Sequence, residues 1–379
     1  MTGEKPPKHL RSLAQLNQVA LPLEEGDPKS DHFKVCGEYP TDLGDCPEGS
    51  PESRLTRKQR RNCNRNQTKE QQRLEDLRNH ADLSNFSVHR LCSNQPLRLV
   101  QKNEIITKNK RVGGIVRFTK FSNIDPLLLH QFEALSQHLL EQSRYLNPNG
   151  NNGNKLGGTM FNAGWRKAYT HNGILGISAS VPKISGHEER YLELQEGMKP
   201  QEKFLATRFA HLSRLLYDTL RIQHKELKLP SISSNSFSEL HDFSFASHLS
   251  FTLNNFHNKP HCDRDSSTYS FGLWLPIYSR DGRLITKDFN VKGGNFIFPE
   301  DNFGLKFEGF DGIVKMVWKA DKFSHKTEPS VSNSYHNRLG LSCEIPSTSL
   351  QTVARLQQNF YDSNPDAFFL WYKPNYPKL

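Results

Sequence analysis

The sequence predicts an α+β protein: a double-stranded β-helix (jelly-roll, cupin-like) core, flanked by N-terminal helices and preceded by a long disordered extension. Three observations carry this reading. Between residues 245 and 345, short runs alternate apolar and polar residues with turn residues between them, as half-buried strands do. Upstream, two stretches carry apolar residues at helical spacing. Residues 1–108 contain few aromatics and no sustained periodicity. The expected division is an extension over 1–108 and one domain over 109–379. Within that domain, helical support spans 109–243, the jelly-roll core 244–346 and a C-terminal strap 347–379.

The extension is acidic first (Glu24, Glu25, Asp27, Asp31, Glu38, Asp42, Asp45, Glu48, Glu52) and then basic (Arg54, Arg57, Lys58, Arg60, Arg61, Arg65, Lys69, Arg73). Such a segment buries too little apolar surface to offset the entropy of ordering it. Its basic block suits a nuclear-import signal or a nucleic-acid contact; a solvated charged linker is the equal alternative. The net charge of +10 favours polyanionic partners without identifying one. The six cysteines include no C-x-x-C pair, so neither a disulfide framework nor a structural zinc module is expected, and a reducing compartment follows. No apolar stretch is long enough for a membrane span. The expectation is a soluble, intracellular and nuclear protein with no membrane partner; oligomeric state is not readable.

Helical periodicity predicts a helix within 124–145 from Leu128, Phe132, Leu135 and Leu139. A second falls within 201–228, from Phe204, Leu205, Phe209, Leu212, Leu216 and Leu220. Both read as helices packed on a sheet. The Asn/Gly run at 147–154 is a surface loop. The strand run begins at 245–256, where Leu249, Phe251 and Leu253 alternate with His248, Ser250 and Thr252. Residues 269–278 repeat it with Phe271, Leu273, Leu275 and Ile277 on one face. Short strands follow at 295–298, 313–318 and 335–345. Closely spaced strands of this kind suggest a jelly roll. The aromatic cluster Phe368–Tyr372 reads as a strap over the core, with partner docking as the alternative.

The chemistry lies between and after these strands. His261 and Asp263 sit two apart in the turn between the first two strands, with His325 further on. Two histidines and one carboxylate are the protein ligands of an Fe(II) site whose remaining positions stay open. Arg338, thirteen residues beyond His325, can pair in a fork with the distal carboxylate of 2-oxoglutarate, which lysine does less well. Alternation puts Arg338 with His336, Gly340 and Ser342 on one face of the last strand, opposite Leu339, Leu341, Cys343 and Ile345. If the leucine face packs under the helices, Arg338 points inward, and the small neighbours Gly340 and Ser342 leave room for a ligand.

His-x-Asp/Glu is cheap by chance. His80/Asp82, His187/Glu189 and His224/Glu226 show it too, but none lies between strands. His336 is the rival third ligand; it leaves no arginine at suitable distance beyond it, so His325 is preferred and His336 is a candidate pocket residue. Lys326 and Arg283 are the other candidate anchors. Tyr269 and Trp274 are candidates for stacking on a substrate, with plain core packing the better reading.

The stretch 245–252, the run Asn258-Lys259-Pro260-His261-Cys262-Asp263, residues 318–327 and Arg338-Leu339-Gly340-Leu341 resemble the Tet/JBP-like 2-oxoglutarate–Fe(II) oxygenases. More narrowly they resemble the Tet-like oxygenase proteins of rust-type basidiomycete fungi. The resemblance covers roughly residues 112–350 and includes Gly164-Trp165-Arg166-Lys167. It implies a dioxygenase using Fe(II), 2-oxoglutarate and O2, and oxidation of the 5-methyl group of a pyrimidine (5-methylcytosine or thymine) in nucleic acid. The cysteine-rich zinc extension of animal members has no counterpart here. Two other classes stay open: a hydroxylase of a protein or small molecule, and a non-catalytic nucleic-acid-binding member of an expanded family. The intact ligand set argues against the second.

Overall fold

The computed structural model describes residues 83 and 85–358, with interruptions at 93–94, 109–110, 151–153, 168–174 and 237–238, and the isolated positions 61, 65 and 68. Apart from Arg61 and Arg65, the acidic-then-basic stretch lies outside the described residues, as do the His80/Asp82 pair and the 368–372 cluster.

The chain opens with β1 (Ser87–Arg90), β2 (Arg98–Val100), β3 (Glu104–Lys108) and β4 (Arg111–Lys120), then α1 (Pro126–Gln142), β5 (Lys155–Lys167) and β6 (Leu175–Ile177). Four helices follow: α2 (Val181–Ile184), α3 (Glu188–Glu196), α4 (Met198–Leu212) and α5 (Arg214–Glu226). The core run is β7 (His248–Asn258), β8 (Ser270–Tyr278), β9 (Val291–Gly293), β10 (Phe296–Phe298), β11 (Phe303–Leu305) and β12 (Gly312–Trp318). It closes with β13 (Lys326–Thr327), β14 (Ser330–Ser332), β15 (His336–Glu344) and α6 (Ser347–Gln357).

Nine strands form the large sheet in the order β1-β3-β4-β12-β8-β15-β7-β5-β6, and β13-β10-β11-β2 form the smaller one. A ribbon pairs β14 with β9. Strand alternation divides the apolar residues between two cores. On one face of the large sheet, Ile115, Phe271, Leu273, Ile313, Val317, Leu339 and Leu341 pack with Phe132, Leu135 and Phe209 of the helices. On the other, Val116, Trp274, Val314, Met316 and Trp318 meet Phe296, Phe298, Phe303 and Leu305 of the smaller sheet. The result is a mixed α+β fold with two facing sheets and helices against the outer face of the larger, as the alternation predicted.

Element ends have local causes. Asp125 caps α1 by accepting from Leu128 N at 2.9 Å, and Pro126 occupies the first turn. The helical run expected across 201–228 is two helices, because Ser213 is extended (φ −158°) and caps α5. Leu212 and Leu216 stay buried across that break, so the apolar period does not reveal it.

Residues 83–108, expected to fall in the extension, supply β1, β2 and β3 instead. These strands are three to five residues long and depend on distant partners: β1 runs parallel to β3, and β2 parallel to β11. The expected helical region also contributes β4 and β5, the latter pairing along β7. Glycines interrupt the alternation of both; at Gly158 (φ +70°) a side chain would collide with the Phe256 backbone. Cys92 and Cys343 are free thiols, whereas Cys262 is disulfide-bonded, which the expected reducing compartment did not foresee. Among the described residues no helix is long and apolar enough to cross a membrane.

Candidate active site

The turn after β7 and the segment after β12 are locked together by their backbones. His261 N donates to His325 O at 3.1 Å, His325 N donates to His261 O at 2.9 Å, and Asp263 N donates to Ala320 O at 2.9 Å. Each imidazole then makes the same local bond. Nδ1 of His261 lies 3.0 Å from Lys259 O, and Nδ1 of His325 lies 2.9 Å from Phe323 O. A carbonyl only accepts, so each Nδ1 carries a proton and each Nε2 is the ring nitrogen left to face a metal. Both Nε2 atoms face one carboxylate: His261 Nε2 is 3.4 Å from Asp263 Oδ1, and His325 Nε2 is 3.5 Å from Oδ2. One ligand atom from each of the three residues falls within 4.8 Å of the others. Burial alone would favour the neutral acid of Asp263, but His325 and His261 outweigh it and hold the carboxyl well below its usual range. His325 is buried against Phe296 and Trp318, while His261 and Asp263 are partly exposed.

Behind Asp263 lies a carboxylate pair that sequence reasoning missed. Asp263, Asp265 and Glu344 bring their oxygens within the same span. Glu344 meets His248 Nδ1 at 2.9 Å and accepts from Ser250 Oγ at 3.1 Å and Ser342 Oγ at 3.0 Å. Burial, then Glu344 and Asp263, push the Asp265 carboxyl well above its normal range. The available signal was the polar face of two neighbouring strands: His248 and Ser250 on β7, Ser342 and Glu344 on β15.

Arg338 points inward, as its alternation predicted. Its Nη1 donates to Gly293 O and Gly294 O at 3.1 and 3.2 Å. The guanidinium lies 4.8 Å from the Phe307 ring centre and 5.7 Å from that of Phe289. Nη2 is buried with no hydrogen-bond partner. Desolvation lowers the Arg338 pKa to about 10, partly opposed by Glu308. The side chain borders a narrow cleft with Trp274, Pro276, Phe289, Phe307 and Val314. Ring contacts lead from His325 to Phe296 (5.4 Å), Trp274 (5.1 Å) and Phe307 (5.2 Å), which Arg338 covers.

The competing candidates sit elsewhere. His336 accepts from Asn290 N through Nδ1 and stacks on Phe289, outside the ligand cluster. Lys326 pairs with Glu328 and Arg283 with Asp281. His224 is buried at the end of α5 against Pro230 O, and His187 stands at the N-cap position of α3 without a side-chain cap bond. Tyr269 is core, its hydroxyl donating to Val112 O. Trp274 is nearly buried between the sheets. The room expected at Gly340 is taken: a Cβ there would meet Thr252 Oγ1 and the Trp274 indole.

The residues fit the two groups the fold and site call for. Two imidazoles held through Nδ1 and one ionised carboxylate are a donor set suited to Fe(II), and the unpartnered Nη2 is a donor that a carboxylate of 2-oxoglutarate would satisfy. This is the equipment of a 2-oxoglutarate- and Fe(II)-dependent oxygenase. The profile of the Tet-like 2OG-Fe(II) oxygenase superfamily matches residues 125–330, and the chain belongs to that family. It is a dioxygenase that uses Fe(II), 2-oxoglutarate and O2.

Among solved structures, the chain is similar to a 2OG-Fe(II) oxygenase family oxidoreductase from Burkholderia pseudomallei, at 13% identity and a TM-score of 0.31, over 62% of this chain and 88% of that one. A prolyl-4-hydroxylase from Pseudomonas putida matches at 13% identity and a TM-score of 0.27, over 61% and 92%. Comparison with curated protein sequences gives no match.

Proposed function

We propose that His261, Asp263 and His325 hold Fe(II), that Arg338 holds the far carboxylate of 2-oxoglutarate, and that the enzyme oxidises the methyl group of 5-methylcytosine or thymine in nucleic acid. The convergence of two Nε2 atoms on one carboxylate carries the ligand assignment. The substrate reading is supported by the Tet-like family match and by the net charge of +10, which suits a polyanion.

With both partners bound, Fe(II) and 2-oxoglutarate supply oxidative decarboxylation by O2, yielding succinate, CO2 and an oxygen atom for a substrate C–H bond. The chain's own residues orient and exclude. The Lys259 and Phe323 carbonyls fix both imidazole tautomers. Phe289 and Phe307 keep water from the Arg338 guanidinium, so its bond to a carboxylate is stronger than on a surface. A base cannot reach a site between two sheets while stacked in a duplex, so a duplex substrate has to be flipped.

The test is mass spectrometry of methylated DNA and RNA after incubation with the protein, Fe(II), 2-oxoglutarate and O2. Hydroxymethyl or further oxidised pyrimidines, absent with His261→Ala, are the expected result. Succinate formed with no oxidised base, whatever the strand type, overturns the nucleic-acid reading and points to a protein or small-molecule hydroxylase. Neither product from an iron-loaded protein overturns the catalytic reading itself.

A further inference from the structure

The inward-pointing arginine is itself held by a clasp at the end of β7. Arg338 Nη1 is seated on the carbonyls of Gly293 and Gly294. Gly293 closes β9, which pairs with β14 as a separate two-stranded ribbon. What fixes that ribbon therefore fixes the guanidinium. A Cβ on Gly294 would collide with both Arg338 Nη1 and Ser330 Cβ, so β14 lies directly behind the turn that Arg338 touches.

Side chains tie β14 to the large sheet. Ser330 and Ser332 share one face of β14, opposite Val331, which is 73% exposed. Both hydroxyls donate to a single atom, Asn255 Oδ1, at 3.2 and 3.1 Å, which occupies both lone pairs of that oxygen. Asn255 lies in a kink of β7. It and Asn254 have φ of +57° and +60°, two left-handed residues in succession where the register against β5 shifts. Asparagine tolerates this conformation better than most side chains, and a bulge re-aims the side chain it carries. Asn254 uses the same kink on β15: its N donates to Asn337 Oδ1 at 3.1 Å, and Asn337 immediately precedes Arg338. One kink thus reaches Arg338 both from the ribbon and from its own strand.

We propose that Asn255, through Ser330 and Ser332, is a positioning residue for Arg338 and so sets the affinity for 2-oxoglutarate. The proposal rests on Arg338 being the co-substrate anchor. A guanidinium is planar and rigid, so Nη2 is aimed only as well as Nη1 is held. With the ribbon released from β7, the Gly293 and Gly294 carbonyls no longer fix the plane, and a misaimed guanidinium loses the geometry that makes its bond to a carboxylate strong. Glu308 accepts from Gly293 N at 3.0 Å and keeps a hold on the ribbon without Asn255. The effect therefore falls on aim rather than on folding.

The test uses two changes to the full chain. Asn255→Gly removes the acceptor and keeps a residue that favours positive φ. Ser330→Ala combined with Ser332→Ala removes the donors and keeps each Cβ. Anaerobic titration of the Fe(II) protein with 2-oxoglutarate, read by charge-transfer absorption, is run beside Fe(II) affinity and thermal melts, with Arg338→Ala as reference. Each change should weaken 2-oxoglutarate binding about tenfold, with Fe(II) affinity unchanged and a cooperative melt retained. All three substitutions together should be no weaker than either change alone, because both remove the same contact. Unchanged 2-oxoglutarate affinity in either change, beside a weakened Arg338→Ala, overturns the clasp alone. Unchanged affinity in Arg338→Ala removes the anchor and the clasp with it. Effects that add in the combined variant, or that weaken Fe(II) and 2-oxoglutarate alike, mean a general loosening and also overturn the proposal.

Discussion

Arg338 offers the sharpest test of the co-substrate assignment, because its two terminal nitrogens have different work. Nη1 holds the Gly293–Gly294 turn through two carbonyls, and Nη2 is buried and unpartnered. In Arg338→Ala a 2-oxoglutarate carboxylate entering the cleft loses its charge-assisted fork, and truncating such a buried pair costs about 2–5 kcal/mol. At about 1.4 kcal/mol per tenfold, affinity falls roughly thirty-fold to several thousand-fold. Arg338→Lys keeps the charge but cannot hold the turn and pair in a fork together. Losing one charged hydrogen bond, about 1.5–3 kcal/mol, predicts a fall of roughly ten-fold to a hundred-fold. Iron binding should survive in both, since no ligand is touched. The assay is anaerobic titration of the Fe(II) protein with 2-oxoglutarate, following the metal-to-ligand charge-transfer absorption. Arg338→Ala titrating like the wild type would refute the reasoning and place the anchor elsewhere; Lys326→Ala and Arg283→Ala should both leave the titration unchanged.

Three further outcomes are expected. His261→Ala, Asp263→Ala and His325→Ala should each abolish iron-dependent succinate formation while retaining a cooperative melt, whereas His336→Ala should stay active; the reverse pattern for the last two would move the third ligand. Removing residues 1–82 should preserve 2-oxoglutarate turnover and reduce the salt dependence of DNA binding. Removal through residue 108 also strips Phe86, Val100, Ile105 and Ile106 from the two cores. At about 2–4 kcal/mol per large buried side chain, that loss is comparable with the usual 5–15 kcal/mol stability and should abolish the melt. Burial lowers the His224 pKa from 6.5 to about 4, so its contribution is fully present above pH 6.5 and is lost as pH falls towards 4. Between pH 7 and 5 the loss is about 2 kcal/mol. Urea melts should show it, and His224→Gln should flatten that part of the pH dependence.

Much of the site was legible because its residues sit at the ends of strongly alternating strands. β7, β8, β12 and β15 each carry an apolar face read directly from every second residue, so Arg338 could be assigned to the interior before any contact was known. The histidine–aspartate spacing was informative only because it falls between two such strands. What stayed hidden depends on distant partners. β1 to β3 are too short to alternate and exist through parallel pairing. β4 and β5 contain glycines that interrupt the pattern where backbones approach closely. The Glu344–His248–Ser250 network joins residues almost a hundred positions apart, and Asn255 looks like any turn asparagine until Ser330 and Ser332 reach it.

The reciprocal backbone bonds between His261 and His325 also bear on how the protein folds. These residues are more than sixty positions apart, and β8 to β12 lie between them. Closing so long a loop is entropically costly and comes after the local helices have formed. An ion that needs both imidazoles therefore cannot nucleate the fold; it can only reward a chain that has already closed. Iron should slow unfolding more than it speeds refolding, and the apoprotein should fold cooperatively without it. In that respect this centre differs from a small structural zinc module, whose ligands lie close in the chain and whose ion organises the fold.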